Sequence, residues 1–156
     1  MLLNRNLRRN FLWKCYSESR PILNLVKSVR LNFPGLETDK SIEEHSRTVL
    51  KFMDKKQALC TKYGNDITGV ILFSRSRNMI CCLAVSAEHR RQGIGFALLE
   101  KALGELDRSR EISVSTFRED DEKGTAPRAL YKKFGFKEAE LIEEFGYPNQ
   151  RFVLYP

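Results

Sequence analysis

The stretch Met79–Leu99, MICCLAVSAEHRRQGIGFALL, constrains the fold more than any other part of the chain. An apolar run ends at Val85 and a polar elbow follows. Beyond Gly93 and Gly95, the residues Phe96, Leu99, Leu103 and Leu106 recur at helical spacing, with no proline before Pro127. This is the pattern of a strand feeding a helix N-terminus. A helix start offers unpaired backbone N–H groups and a favourable dipole, which together suit a diphosphate. Glycines let the backbone approach a ligand closely and adopt φ values that other residues resist, and Arg90 and Arg91 add positive charge at the same end. Two better-known phosphate loops fail on residues. A P-loop requires Gly-Lys-Ser/Thr, and Gly95 is followed by Phe96 and Ala97. A dinucleotide fingerprint requires a third small residue three places after Gly95, where Leu98 stands.

The length of 156 residues fits one domain spanning the whole chain, 1–156, with residues 1–10 as a flexible basic arm. No apolar run reaches the roughly 18 residues of a membrane span, and Met1 to Lys14 does not read as a signal peptide. The cysteines Cys15, Cys60, Cys81 and Cys82 show no C-x-x-C spacing, so no metal site is expected and a reducing cytoplasm is the expected location. Cys81 and Cys82 are neighbours on a strand, point to opposite faces and read as buried small hydrophobes. His45 and His89 are the only imidazoles, and His45 reads as an exposed helix residue. A net charge of +7 raises the question of nucleic acid. The basic residues are scattered without a Lys/Arg block, which argues against that partner.

The pattern along the chain starts with a weak strand at Phe11–Tyr16 and a helix begun by Ser19 and Pro21, with apolar positions Ile22, Leu25, Val26, Val29 and Phe33 and a stop at Pro34-Gly35. Ser41 with Glu44 reads as the capping box of a second helix ending near Lys56. Strands follow at 57–62, 66–74 and 79–85 as an antiparallel meander. A helix over 93–107 and a strand over 111–117, parallel to the one ending at Val85, come next. An acidic loop 118–124 precedes a short helix, 126–134, capped by Gly135. Two last strands, 136–143 and 150–155, are joined by the residues 145–149.

Arg-x-x-Gly-x-Gly after a strand ending in Val85 resembles the acetyl-coenzyme A (acetyl-CoA) loop of the GCN5-related N-acetyltransferase (GNAT) family. Ala126 to Phe136, APRALYKKFGF, resembles that family's A-x-x-L-Y-x-x-x-G-F segment. The resemblance implies an α/β (α+β) three-layer fold: a twisted mixed sheet with helices on both faces and a parallel central strand pair splayed at the cofactor cleft. It implies an enzyme that moves acetyl from acetyl-CoA to a primary amine, in a small molecule or a protein, by direct attack in a ternary complex. The pantetheine arm would lie along the backbone of Leu83, Ala84 and Val85, and Arg90, Arg91, Gln92, Gly93, Ile94, Gly95, Phe96 and Ala97 would hold the diphosphate. Tyr131 would protonate the departing thiolate: a phenol of pKa about 10 is protonated at neutral pH and can donate to a thiolate of pKa about 8.5. Read from helical spacing alone, Tyr131 is core beside Leu130 and Phe134.

An ammonium acceptor also needs a base, which many relatives place on the strand before the loop. No Asp or Glu stands between Asn78 and Val85. Glu143, Glu144, Tyr147, Glu43 and Glu44 are the remaining candidates, each equally readable as surface or packing. The run Glu119–Glu122 could attract a cationic amine or be a solvated loop. The missing acid keeps a second reading open, a non-catalytic CoA-binding sensor or regulatory module; a basic nucleic-acid-associated protein is the third. Exposed edge strands near the C-terminus could pair two copies, as in dimeric relatives.

Overall fold

The computed structural model describes residues 13–14, 19–30 and 35–156. The arm expected over 1–10 lies outside them, as do the ends of the strand expected at Phe11–Tyr16. The elements are β1 (Trp13–Lys14), α1 (Ser19–Ser28), α2 (Asp39–Asp54), β2 (Ala58–Tyr63), β3 (Asp66–Ser74), β4 (Met79–Val85), α3 (Ile94–Gly104), β5 (Ile112–Phe117), α4 (Thr125–Lys133), β6 (Lys137–Glu144) and β7 (Tyr147–Leu154). The strands form one sheet in the order β1-β2-β3-β4-β5-β7-β6. Every neighbouring pair is antiparallel except β4 and β5, which are parallel. No helix among the described residues is long and apolar enough to cross a membrane.

Side-chain alternation along the strands divides the core between two faces. On one face Ile22 and Val26 of α1 and Val49 and Met53 of α2 pack on Cys60, Val70, Leu72, Cys82 and Ala84. On the other, Leu98, Leu99 and Leu103 of α3 and Tyr131 of α4 pack on Ile71, Phe73, Ile80, Val114 and Phe152. β3 is therefore buried from Ile67 to Ser74 without alternation, as a strand covered on both sides must be. The result is three layers, helices on each side of a mixed sheet.

Several local expectations shift. The capping box of α2 is formed by Thr38 and Ser41 rather than Ser41 and Glu44. Thr38 Oγ1 accepts from the Ser41 N–H at 3.1 Å and Ser41 Oγ accepts from the Thr38 N–H at 3.2 Å, so the helix starts at Asp39. α1 ends at Ser28; Phe33, expected on its apolar face, and Pro34 of the expected Pro34-Gly35 stop lie outside the described residues. β7 starts at Tyr147, leaving only Phe145 and Gly146 in the turn after β6. Residue pairing between β3 and β4 jumps from Leu72↔Cys82 to Phe73↔Ile80, which makes Cys81 the extra residue of a β-bulge. That is why Cys82 is buried and Cys81 exposed, where strict alternation predicts two buried thiols.

The parallel pair of the sheet is joined at one end only. β4 and β5 share a single register pair, Met79↔Ser113. Asn78, buried and left-handed at φ 51°, precedes it. Its Nδ2 donates to the carbonyls of Asp107 and Glu111, both at 2.9 Å, and its Oδ1 accepts from the Asp107 N–H at 2.8 Å. These bonds tie the start of β4 to the connection between α3 and β5. Beyond Met79 the two strands separate, so the β4 backbone groups that face β5 have no strand partner.

Candidate active site

The separation of β4 from β5 creates a cavity of about 1050 Å³ that reaches both faces of the sheet. Leu83, Ala84 and Val85 line it, as do Val114 to Phe117 across the gap. Leu83 and Val85 pack with the α3 side and Ala84 with the α1 and α2 side, so their side chains fill core while the intervening backbone faces the opening.

At one mouth the cavity is lined by Arg90, Arg91, Gly93, Ile94, Gly95 and Phe96. Gly93 caps α3 in the left-handed region, φ 77°, without a side-chain bond to the helix. The first helical bond there is from the Ala97 N–H to the Gly93 carbonyl at 3.0 Å. The N–H groups of Ile94, Gly95 and Phe96 thus come before the helical ladder and stand open as an anion cradle. Ala97, whose N–H is already engaged, and Gln92 do not line the cavity. Arg91 is itself left-handed at φ 61°, a strain of about 1 kcal/mol for a non-glycine residue. At Gly95 an added Cβ would lie 3.5 Å from Leu130, 3.8 Å from Val85 and 4.0 Å from Leu83, ordinary contacts, so packing alone does not require glycine there. Phe96, one of the residues expected at the diphosphate, lines the cavity, with Phe134 at 4.6 Å between centroids and Lys133 Nζ 5.2 Å over its ring.

Inside the cavity stands Tyr131, only 4% exposed. Its ring packs against Phe136 at 5.7 Å and Phe152 at 6.2 Å, so it is core, and its hydroxyl has no hydrogen bond to a described residue. Burial, with a smaller contribution from the Cys82 thiol, pushes the phenol pKa up, and the group stays protonated. α4 is fastened to the sheet through Arg128, which donates to the Phe117 carbonyl at 3.1 Å, Gln150 Oε1 at 2.8 Å and Glu138 Oε1 at 2.5 Å.

The other mouth belongs to α2 and the turn after β6. Of the five candidate bases, Glu43 is paired with Arg47 at 2.7 Å and Tyr147 donates to Asp121 at 2.7 Å in an adjoining depression, while exposed Glu143 is outside the cavity lining. Glu44 and Glu144 do line it. His45, read as exposed, is half-buried in the same wall, and desolvation lowers its pKa. Cys81 lines the cavity too; burial and the Glu144 carboxylate push its thiol up to about 11 against the opposing effect of Arg77. The acidic loop after β5 is partly self-bonded: Asp121 accepts from the Lys123 N–H at 3.0 Å as well as from Tyr147. Sequence reasoning missed Cys81, because a bulge is invisible to alternation, and read His45 as exposed, because helix periodicity does not say which face of α2 the rest of the fold covers.

The acetyltransferase (GNAT) domain model matches residues 54–138, over half of the chain. The chain belongs to the GNAT acetyltransferase family. No curated protein sequence matches it significantly. Among solved structures, the ribosomal-protein-alanine N-acetyltransferase of Brucella melitensis shares the fold with a TM-score of 0.72 at 15% identity, covering 94% of this chain and 99% of that one. YncA of Salmonella typhimurium, solved with its cofactor acetyl-CoA, gives 0.71 at 15% identity, covering 93% and 92%. The PaiA N-acetyltransferase of Thermoplasma acidophilum, in complex with coenzyme A, gives 0.65 at 16%, covering 90% and 96%.

Proposed function

We propose that this protein transfers acetyl from acetyl-CoA to a primary amine by direct attack in a ternary complex. The observation that carries the reading is a cavity that passes between β4 and β5, with the open N-terminus of α3 at one mouth and Tyr131 in its lining. The residues suit the donor. Backbone N–H groups of Ile94, Gly95 and Phe96, together with Arg90 and Arg91, offer a cradle for a diphosphate; unpaired β4 backbone near Leu83–Val85 can accept an extended amide chain in the manner of a strand. The complexes of YncA with acetyl-CoA and of PaiA with coenzyme A support the same assignment. The acceptor then enters from the mouth formed by α2 and the turn after β6, which places its nitrogen and the donor on opposite sides of the sheet opening. Tyr131 gives its proton to the departing sulfur.

Thiol release from acetyl-CoA over a panel of 1-aminobutane, 1,4-diaminobutane and Nα-acetyl-lysine amide tests the transfer. The expected result is release above the hydrolysis background with at least one amine, accompanied by the acetylated amine. Acetyl-CoA binding with no amine-dependent release would replace the enzyme with a ligand sensor.

A further inference from the structure

We propose that Glu144 is the base that takes the proton from the incoming ammonium group, supplying from β6 the carboxylate that β4 lacks. The inference rests on the transfer reading above. β4 presents only thiols and aliphatic groups to the cavity, namely Cys81, Cys82, Leu83, Ala84 and Val85. Glu144 lines the same cavity from the far strand, is half-buried, and forms no hydrogen bond or ion pair with a described residue. Cys81, the bulge residue of β4, lines the same cavity. The carboxylate therefore stands in the wall of the acceptor mouth, beside the turn after β6. Glu44, the other acid in the lining, is exposed on α2 in the helical wall of the acceptor mouth.

The backbone around Glu144 is held at a cost. Glu144 pairs with Tyr147 as the last rung of β6 and β7, and the two residues between them, Phe145 at φ 53° and Gly146 at φ 72°, are both left-handed. That is the hairpin turn in which Asn-Gly is usual. Phenylalanine at its first position is a strained choice, and strain of this kind persists where surrounding structure enforces it. Here the enforcing contact is the connection before α2. A Cβ at Gly35 would lie 2.7 Å from Phe145 Cβ and 3.1 Å from the Phe145 carbonyl oxygen, so the backbone at Gly35 lies flush against the turn. Phe145 itself is 84% exposed and is not held by burial. Strand pairing on one side and Gly35 on the other fix the direction in which Glu144 leaves the backbone.

The protons balance as follows. Glu144 takes one proton from the ammonium nitrogen and passes it to solvent. The freed lone pair forms the N–C bond to the thioester carbonyl carbon, the C–S bond breaks, and the sulfur takes the Tyr131 proton. The second proton lost by nitrogen restores Tyr131 through solvent. The net products are the amide, free thiol and one proton.

The test compares wild type, Glu144→Ala and Glu144→Gln with the fastest amine of the panel, with acetyl-CoA affinity measured in each as the control for an intact fold. Both variants are expected to lose about 10²-fold in kcat, the usual share of a general base, with acetyl-CoA affinity retained. Added formate should restore part of the rate to Glu144→Ala, where it can fill the space, and none to Glu144→Gln, where the amide blocks it. Rescue of this kind is not expected of a residue with only a structural role. Wild-type kcat in either variant, or a loss in Glu144→Ala that formate leaves untouched, overturns the assignment. Wild type itself inactive on every amine would instead remove the transfer reading on which it rests.

Discussion

Tyr131→Phe is expected to lower kcat about 10²-fold while leaving acetyl-CoA affinity and folding stability close to wild type. The substitution removes one hydroxyl and keeps the ring, and the ring makes the contacts with Phe136 and Phe152. The hydroxyl bonds to no described residue, so its loss leaves no donor or acceptor stranded in the core. What disappears is the proton available to the sulfur when the C–S bond breaks. Burial raises the phenol pKa, which makes the group a weaker acid than a free phenol but ensures that it carries its proton at any pH at which the protein works. Steady-state rates with the best amine, alongside titration with acetyl-CoA, check this. Undiminished kcat would return Tyr131 to the plain role of a core aromatic.

Arg128→Ala is expected to destabilise the fold by about 3 kcal/mol, read from urea unfolding. Arg128 is 5% exposed and joins α4 to three strands through Phe117 of β5, Glu138 of β6 and Gln150 of β7. Its guanidinium also lies 4.9 Å over the Phe152 ring. Truncation strands the Phe117 carbonyl without that donor and opens a cavity beside Phe152. The effect stays below the extreme for a broken buried pair, because Glu138 keeps Lys132 at 2.7 Å and is itself partly exposed. Arg128→Met should recover part of the loss by refilling the volume. Since Tyr131 is one turn along the same helix, kcat should fall in Arg128→Ala even where the protein remains folded.

The parts of this structure that depend on local pattern were legible in the residues. β3, β4 and the helix after Gly93 follow from apolar runs, turn residues and glycine positions, and the αL cap at Gly135 follows from its place after α4. The parallel pairing of β4 and β5 was also readable, because a helix between two strands returns the chain in the same direction. What was not legible depends on contacts distant in sequence. The bulge at Cys81 arises from pairing with β3, and the two-residue turn at Phe145-Gly146 violates the usual turn chemistry and holds against Gly35. Glu144 could be named only as one of several acids, since nothing in its neighbours in sequence says that it lines the cavity. His45 illustrates the same limit, as helix periodicity gives a face but not which face is covered.

The most direct test of the account is an amide NMR titration with acetyl-CoA. The N–H signals of Ile94, Gly95 and Phe96 at the open end of α3, and those of β4 at Leu83 to Val85, are expected to shift most and to saturate together. Saturation without movement at Ile94, Gly95 and Phe96, or no change at any amide, would contradict a donor held by that helix end in the gap between β4 and β5.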